Sequence, residues 1–95
     1  MIESELKKMF GEYLYYSYIY YKHATSLISD EEYDIMCHTL LEYFDKFKHR
    51  YKNLITIDDL NAGTGFAIHY PPDLINYYEN RYATYKLEFN NEGFL

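Results

Sequence analysis

The chain has 95 residues, with 9 Lys+Arg against 15 Asp+Glu, a net charge of −6 and one cysteine. That length holds one small domain and excludes a multidomain catalytic machine, and the acidic balance argues against direct nucleic-acid binding unless the basic residues gather on one face. Cys37 has no internal disulfide partner, there is no cysteine set for zinc, and no secretory pattern opens the chain, so a soluble protein of a reducing cytoplasm is expected.

The first segment, Glu3 to about Thr25, has no proline and one glycine. Apolar residues at Ile2, Leu6, Met9, Phe10, Tyr13, Leu14 and Tyr20 recur at spacings of three and four, which predicts an amphipathic helix. A strand through Tyr13 to Tyr21 would need alternation, and the adjacent pairs Tyr15-Tyr16 and Tyr20-Tyr21 break it. This uncharged run is also well short of the roughly 20 residues of a membrane span. The chain has 14 Tyr and no Trp, and six of the tyrosines fall between positions 13 and 21. Each buried phenol needs a hydrogen-bond partner, so such a run places some rings at the rim of a core and some outward.

Ser29-Asp30-Glu31-Glu32 has the form of a capping box, with acidic residues in the first turn, and Tyr33, Met36, Leu40, Phe44 and Phe47 continue a helical stripe. A second helix to about Tyr51 is expected, antiparallel to the first through the loop Ser26 to Ser29. Its end carries Lys46, Lys48, His49, Arg50 and Lys52, a basic run that suits a solvated helix C-terminus and, as the second reading, a phosphate-binding patch. Residues 53–70 read as a short extended piece and a loop in which Gly63-Thr64-Gly65 is a turn signal. Pro71-Pro72-Asp73 opens a third helix that should end near Lys86, leaving 87–95 as a loose tail from which Phe89 and Phe94 could dock back. The expected fold is all-α: a single small helical domain built on an antiparallel helix hairpin (about 3–52) plus a third helix (about 71–86).

Catalytic motifs are missing: there is no His-Glu-x-x-His, Gly-x-Ser-x-Gly, phosphate loop or Cys-x-x-Cys. His23, His38, His49 and His69 share no metal-ligand spacing, and Cys37 reads as a small buried hydrophobe. The hairpin does place Tyr20 and Tyr21 opposite Asp30, Tyr33 and Asp34. Aromatic faces beside carboxylates suit a flat cationic heterocycle that carries sugar hydroxyls, of which a nicotinamide riboside is an example. On spacing alone the structural reading comes first, with the aspartates stabilising a helix start while the tyrosines pack the hairpin.

Tyr18-Ile19-Tyr20-Tyr21, then Ile28-Ser29-Asp30-Glu31-Glu32-Tyr33-Asp34, and then Leu40-Leu41-Glu42 together resemble the N-terminal Ia domain of bacterial NAD-dependent DNA ligases. That family carries a Tyr-x-Tyr-His pair and an Asp-x-Glu-Tyr-Asp motif. Leu54-Ile55-Thr56 is similar to the segment after the family's second helix, so the resemblance covers roughly residues 10 to 56. It implies a small helical module that binds the nicotinamide mononucleotide half of NAD. By position, Tyr20 and Tyr21 would flank the nicotinamide, while Asp30, Tyr33 and Asp34 would contact its ribose, carboxamide or phosphate. Tyr21 replaces the family's histidine. No Lys-x-Asp-Gly is present, so the adenylated lysine is missing and no ligation by this chain alone is expected. The implied role is a non-catalytic nucleotide-binding module using no metal. The alternative is a protein-interaction module or inhibitor, of phage type and acting in a bacterial host, that offers Tyr15, Tyr16, Tyr18 and acidic residues to a host protein. Assembly in trans with a separate adenylation domain is the third possibility.

Overall fold

The computed structural model describes residues 1–93, with side chains to residue 88. Four helices follow in order: α1, Glu3–His23; α2, Asp30–Glu42; α3, Ile57–Asn61; and α4, Pro72–Gly93. No strand occurs among the described residues, so the fold is all-α as expected. None of these helices is long and apolar enough to cross a membrane.

Helices α1 and α2 form the antiparallel hairpin. The pairing runs backwards along α1 as α2 and its continuation advance: Ser17 meets Tyr33, and Phe10 meets Phe47 with ring centres 5.6 Å apart. α1 ends where Ala24 takes a left-handed conformation with φ +53°, which turns the chain toward α2. The capping box at the start of α2 is present: Ser29 Oγ accepts from the Glu32 N–H at 3.1 Å, and Glu32 accepts from the Ser29 N–H at 3.3 Å.

The second helix stops at Glu42, well before the expected Tyr51, and two short 3-10 turns follow, Phe44–Lys46 and Lys52–Leu54. The cause is tertiary. Lys52, read from sequence as part of a solvated basic end, turns inward and donates to the carbonyls of Phe44 and Phe47. Its ammonium lies 4.4 and 4.5 Å from the ring centres of those two phenylalanines. Phe47 is thereby buried against Phe10, an arrangement that a continuous helix would not give.

The expected extended piece and loop at 53–70 contains helix α3 instead. Thr56 Oγ1 accepts from the Asp59 N–H, and Asp59 accepts from the Thr56 N–H at 2.8 Å, a second capping box with Asp in place of Glu. Gly63, with φ +66°, ends that helix as its left-handed cap residue. Gly65 lies against α1 so closely that a Cβ there would stand 2.5 Å from both Cβ and Oγ of Ser17. Pro72 occupies the first turn of α4, as expected, but the helix runs to Gly93, so the expected loose tail is helical through 87–93. The Phe94 docking lies outside the described residues, as does the side chain of Phe89.

α4 lies across α1. Glu79 and Arg81 are two positions apart, about 3 Å along the helix, yet Glu79 pairs with His23 and Arg81 with Glu12, each at 2.9 Å. From the crossing point the two side chains reach in opposite directions along α1. Leu6, Phe10, Tyr13, Leu14 and Ile19 are fully buried from α1, and Leu40, Leu60, Leu74 and Tyr78 close over them. Three phenols reach across the fold: Tyr13 donates to the Thr64 carbonyl at 2.9 Å, Tyr70 to that of Leu14 at 2.8 Å, and Tyr18 to Glu79. No buried side-chain nitrogen or oxygen among the described residues lacks a partner.

Candidate functional site

Tyr20 and Tyr21 come from the last turns of α1, and Asp30, Tyr33 and Asp34 from the first turns of α2. The 24–29 loop turns the chain so that all five border one pocket of about 300 Å3. Residues at i, i+3 and i+4 share a helix face, which is why Asp30, Tyr33 and Asp34 point the same way.

The two halves of the pocket differ in burial. Tyr33 is half-buried, its hydroxyl 2.7 Å from Ser17 Oγ and its ring packed on Tyr13 at 5.8 Å. Burial pushes its phenol well above the usual tyrosine range, so it stays neutral. Tyr20 and Tyr21 remain 51% and 47% exposed, enough to offer ring surface to a ligand. Their rings meet edge to face at 4.9 Å, and both line the pocket. The Tyr21 hydroxyl is 2.8 Å from Thr64 Oγ1, so the loop after α3 holds that ring in place. Phe66, 77% exposed, meets the Tyr21 ring with centres 6.1 Å apart.

Asp30 and Asp34 are exposed carboxylates on the α2 side. Among the residues that line the pocket there is no Lys, Arg or His, and these two acids set its charge. Cys37, one turn beyond Tyr33, is buried, and its thiol is pushed up to about 11 by burial and then by the charge of Asp34. It is therefore a protonated, packed thiol at neutral pH. No group of three or more His, Cys, Asp or Glu able to hold a metal ion occurs among the described residues. Chemically the arrangement can stack a flat ring, attract a cation and accept hydrogen bonds from hydroxyls.

Other parts of the pocket have no signal in the sequence near the motif. Gly63, some thirty residues downstream, lines the wall, and a Cβ at that position would lie 3.6 Å from Asp34 Oδ1. Ser17 is the one small polar residue inside the tyrosine run, and it takes both the Tyr33 hydroxyl and the close approach of Gly65. A lone serine amid large rings is a sign of close packing that could have been read. Tyr15 and Tyr18, expected to face a partner, are instead buried, Tyr15 beneath the Arg81 guanidinium at 3.9 Å from its ring centre and Tyr18 on Glu79. No family model, no curated protein and no solved structure matches this chain.

Proposed function

We propose that this chain is a non-catalytic module that binds the nicotinamide nucleoside end of nicotinamide mononucleotide or NAD. The observation that carries the reading is the convergence of Tyr20, Tyr21, Asp30, Tyr33 and Asp34 on one pocket. The pocket's volume of about 300 Å3 lies at the lower bound of small-molecule sites, about 300–1,000 Å3, which suits a nucleoside end with the rest of a dinucleotide outside. The positively charged pyridinium ring stacks on Tyr20 or Tyr21 beside two carboxylates, and the ribose hydroxyls donate to Asp30 and Asp34. With no cation in the lining, the phosphate contributes little to binding.

Titration calorimetry with nicotinamide mononucleotide, NAD and nicotinamide riboside tests this reading. Saturable heat is expected, with the riboside at least as tight as the mononucleotide. Asp34→Asn, an exposed change that spares the fold, removes a charge-assisted hydrogen bond of about 1.5–3 kcal/mol, a loss of roughly tenfold or more in affinity. Absence of heat at millimolar ligand with helical protein would refute the reading.

The exposed cluster of Tyr20, Tyr21 and Phe66 favours a second reading, a surface for binding another protein. A triple change of these residues to Ser leaves the buried tyrosines untouched. Under this reading the triple variant loses a partner that the parent captures, and equal capture by both refutes it.

A further inference from the structure

Four of the nine Lys and Arg residues, Lys7, Lys8, Arg50 and Arg81, line a single open groove of about 500 Å3. They come from α1, the segment between the two 3-10 turns, and α4, so the fold gathers what the sequence scatters. Two carboxylates share the groove: Glu12 holds Arg81 at 2.9 Å, and Asp73 accepts from the Tyr51 hydroxyl at 2.6 Å and feels the charge of Arg50. Lys7, Lys8 and Arg50 make no ion pair among the described residues. Their field reaches His49 at the groove edge, whose pKa is lowered first by burial and then by Lys7 and Arg50. In a chain of net charge −6, four cations against the two carboxylates Glu12 and Asp73 leave this concave face locally positive, which suits an anion.

Two further features describe the rest of the ligand. Tyr77 is 59% exposed on the groove wall, leaving a ring face free for stacking. Gly11 sits inside the continuous helix α1 at the groove, although glycine in a helix interior is less stable than alanine. A Cβ there would meet nothing within 4 Å, so packing does not demand the missing side chain. What the glycine leaves is open space in the groove that Lys7, Lys8 and Tyr77 also line.

We propose that this groove binds a phosphomonoester carried on a flat ring, a ligand of mononucleotide size, with the phosphate among Lys7, Lys8 and Arg50 and the ring against Tyr77. The groove shares no lining residue with the Tyr33–Asp34 pocket, so the proposal stands apart from the function assigned there. A nucleic-acid strand would draw on a longer basic track than this groove, and the oligothymidylate arm of the experiment below tests for one.

Amide NMR of isotope-labelled full-length protein at low salt tests it, with adenosine monophosphate, adenosine, inorganic phosphate and a short oligothymidylate as probes. The monophosphate is expected to shift the amides around Lys7, Lys8, Gly11, Arg50 and Tyr77, with adenosine and inorganic phosphate each at least about fivefold weaker at the same amides. Lys7→Ala with Lys8→Ala weakens binding roughly tenfold. Gly11→Leu fills the open space with a better helix former and abolishes binding in a helix that remains intact. Asp34→Asn leaves all of this unchanged. Shifts confined to the Tyr20–Asp34 pocket, equal affinity for adenosine or for phosphate alone, or parental binding by the lysine or Gly11 variants would overturn the proposal. Tighter binding of the oligothymidylate with a steep salt dependence would overturn it in favour of a single strand.

Discussion

Gly65→Ala is the most direct test of how the pocket is held together. An added methyl group at residue 65 would stand 2.5 Å from both Cβ and Oγ of Ser17 and 3.2 Å from Ile68 Cδ1, where ordinary contact begins at 3.4 Å. Ser17 Cβ is fixed to the α1 backbone and cannot swing aside, so the 64–70 loop must lift or α1 must yield. Overpacking of this kind costs about 1–3 kcal/mol. For a domain of this size each kcal/mol lowers Tm by about 4–8 °C, so a fall of roughly 4–24 °C is expected by circular dichroism. The site suffers as well, since a displaced Ser17 Oγ releases the Tyr33 hydroxyl and a lifted Thr64 releases those of Tyr13 and Tyr21. Ser17→Gly removes the atoms that clash, so the double variant should recover about 1 kcal/mol or more relative to the sum of the single changes. A Tm for Gly65→Ala within about 2 °C of the parent, or a cycle additive within about 0.5 kcal/mol, would refute this account of the loop.

Three further outcomes are expected. Ala24→Gly relieves a left-handed residue at the end of α1 and should stabilise the protein by about 0.5–1 kcal/mol, measured as a higher urea midpoint with unchanged slope. The carboxyl of Glu79 is held below its usual range by the Tyr18 hydroxyl and then by His23, so its contribution is present above about pH 4.5 and fades as pH falls through the lowered folded value. Glu79→Gln should therefore lower stability at neutral pH and flatten the acid limb of a stability profile. At the alkaline end, Tyr16 and Tyr18 are both pushed up to about 12, by burial and then by Glu12 and Glu79 respectively. Phenols that ionise near 10 in the unfolded chain favour unfolding as pH rises from about 10 to 12, and phenolate absorbance should grow together with loss of helix signal.

The legible parts of this chain were those with local causes. Ser29 and Glu32 satisfy each other's backbone within one turn, so the start of α2 could be placed to the residue, and the spacing of Asp30, Tyr33 and Asp34 put them on one face. The same signal at Thr56 and Asp59 was readable and marks α3, which the loop-like composition around it obscured. The end of α2 was not readable, because the helical stripe through Phe44 and Phe47 persists in the sequence while the carbonyls there are claimed by Lys52 from further along the chain. Periodicity records which residues prefer burial, and it does not record which distant cation will cap a carbonyl.

The tyrosine run divides in the same way. By itself the sequence determined an all-α chain, a capped hairpin and rings too numerous all to be buried, since these follow from spacing along one or two helices. Only the tertiary structure decided which rings are which. α4 crosses α1 over Tyr15 and Tyr18, giving them Arg81 and Glu79 as partners, while Tyr20 and Tyr21 lie away from α4 and line the pocket. The wall at Gly63, the clamp at Thr64 and Gly65, and the gathering of Lys7, Lys8 and Arg50 all depend on contacts between residues far apart in sequence. No local propensity encodes such contacts, because their free energy exists only once the separate segments are packed together.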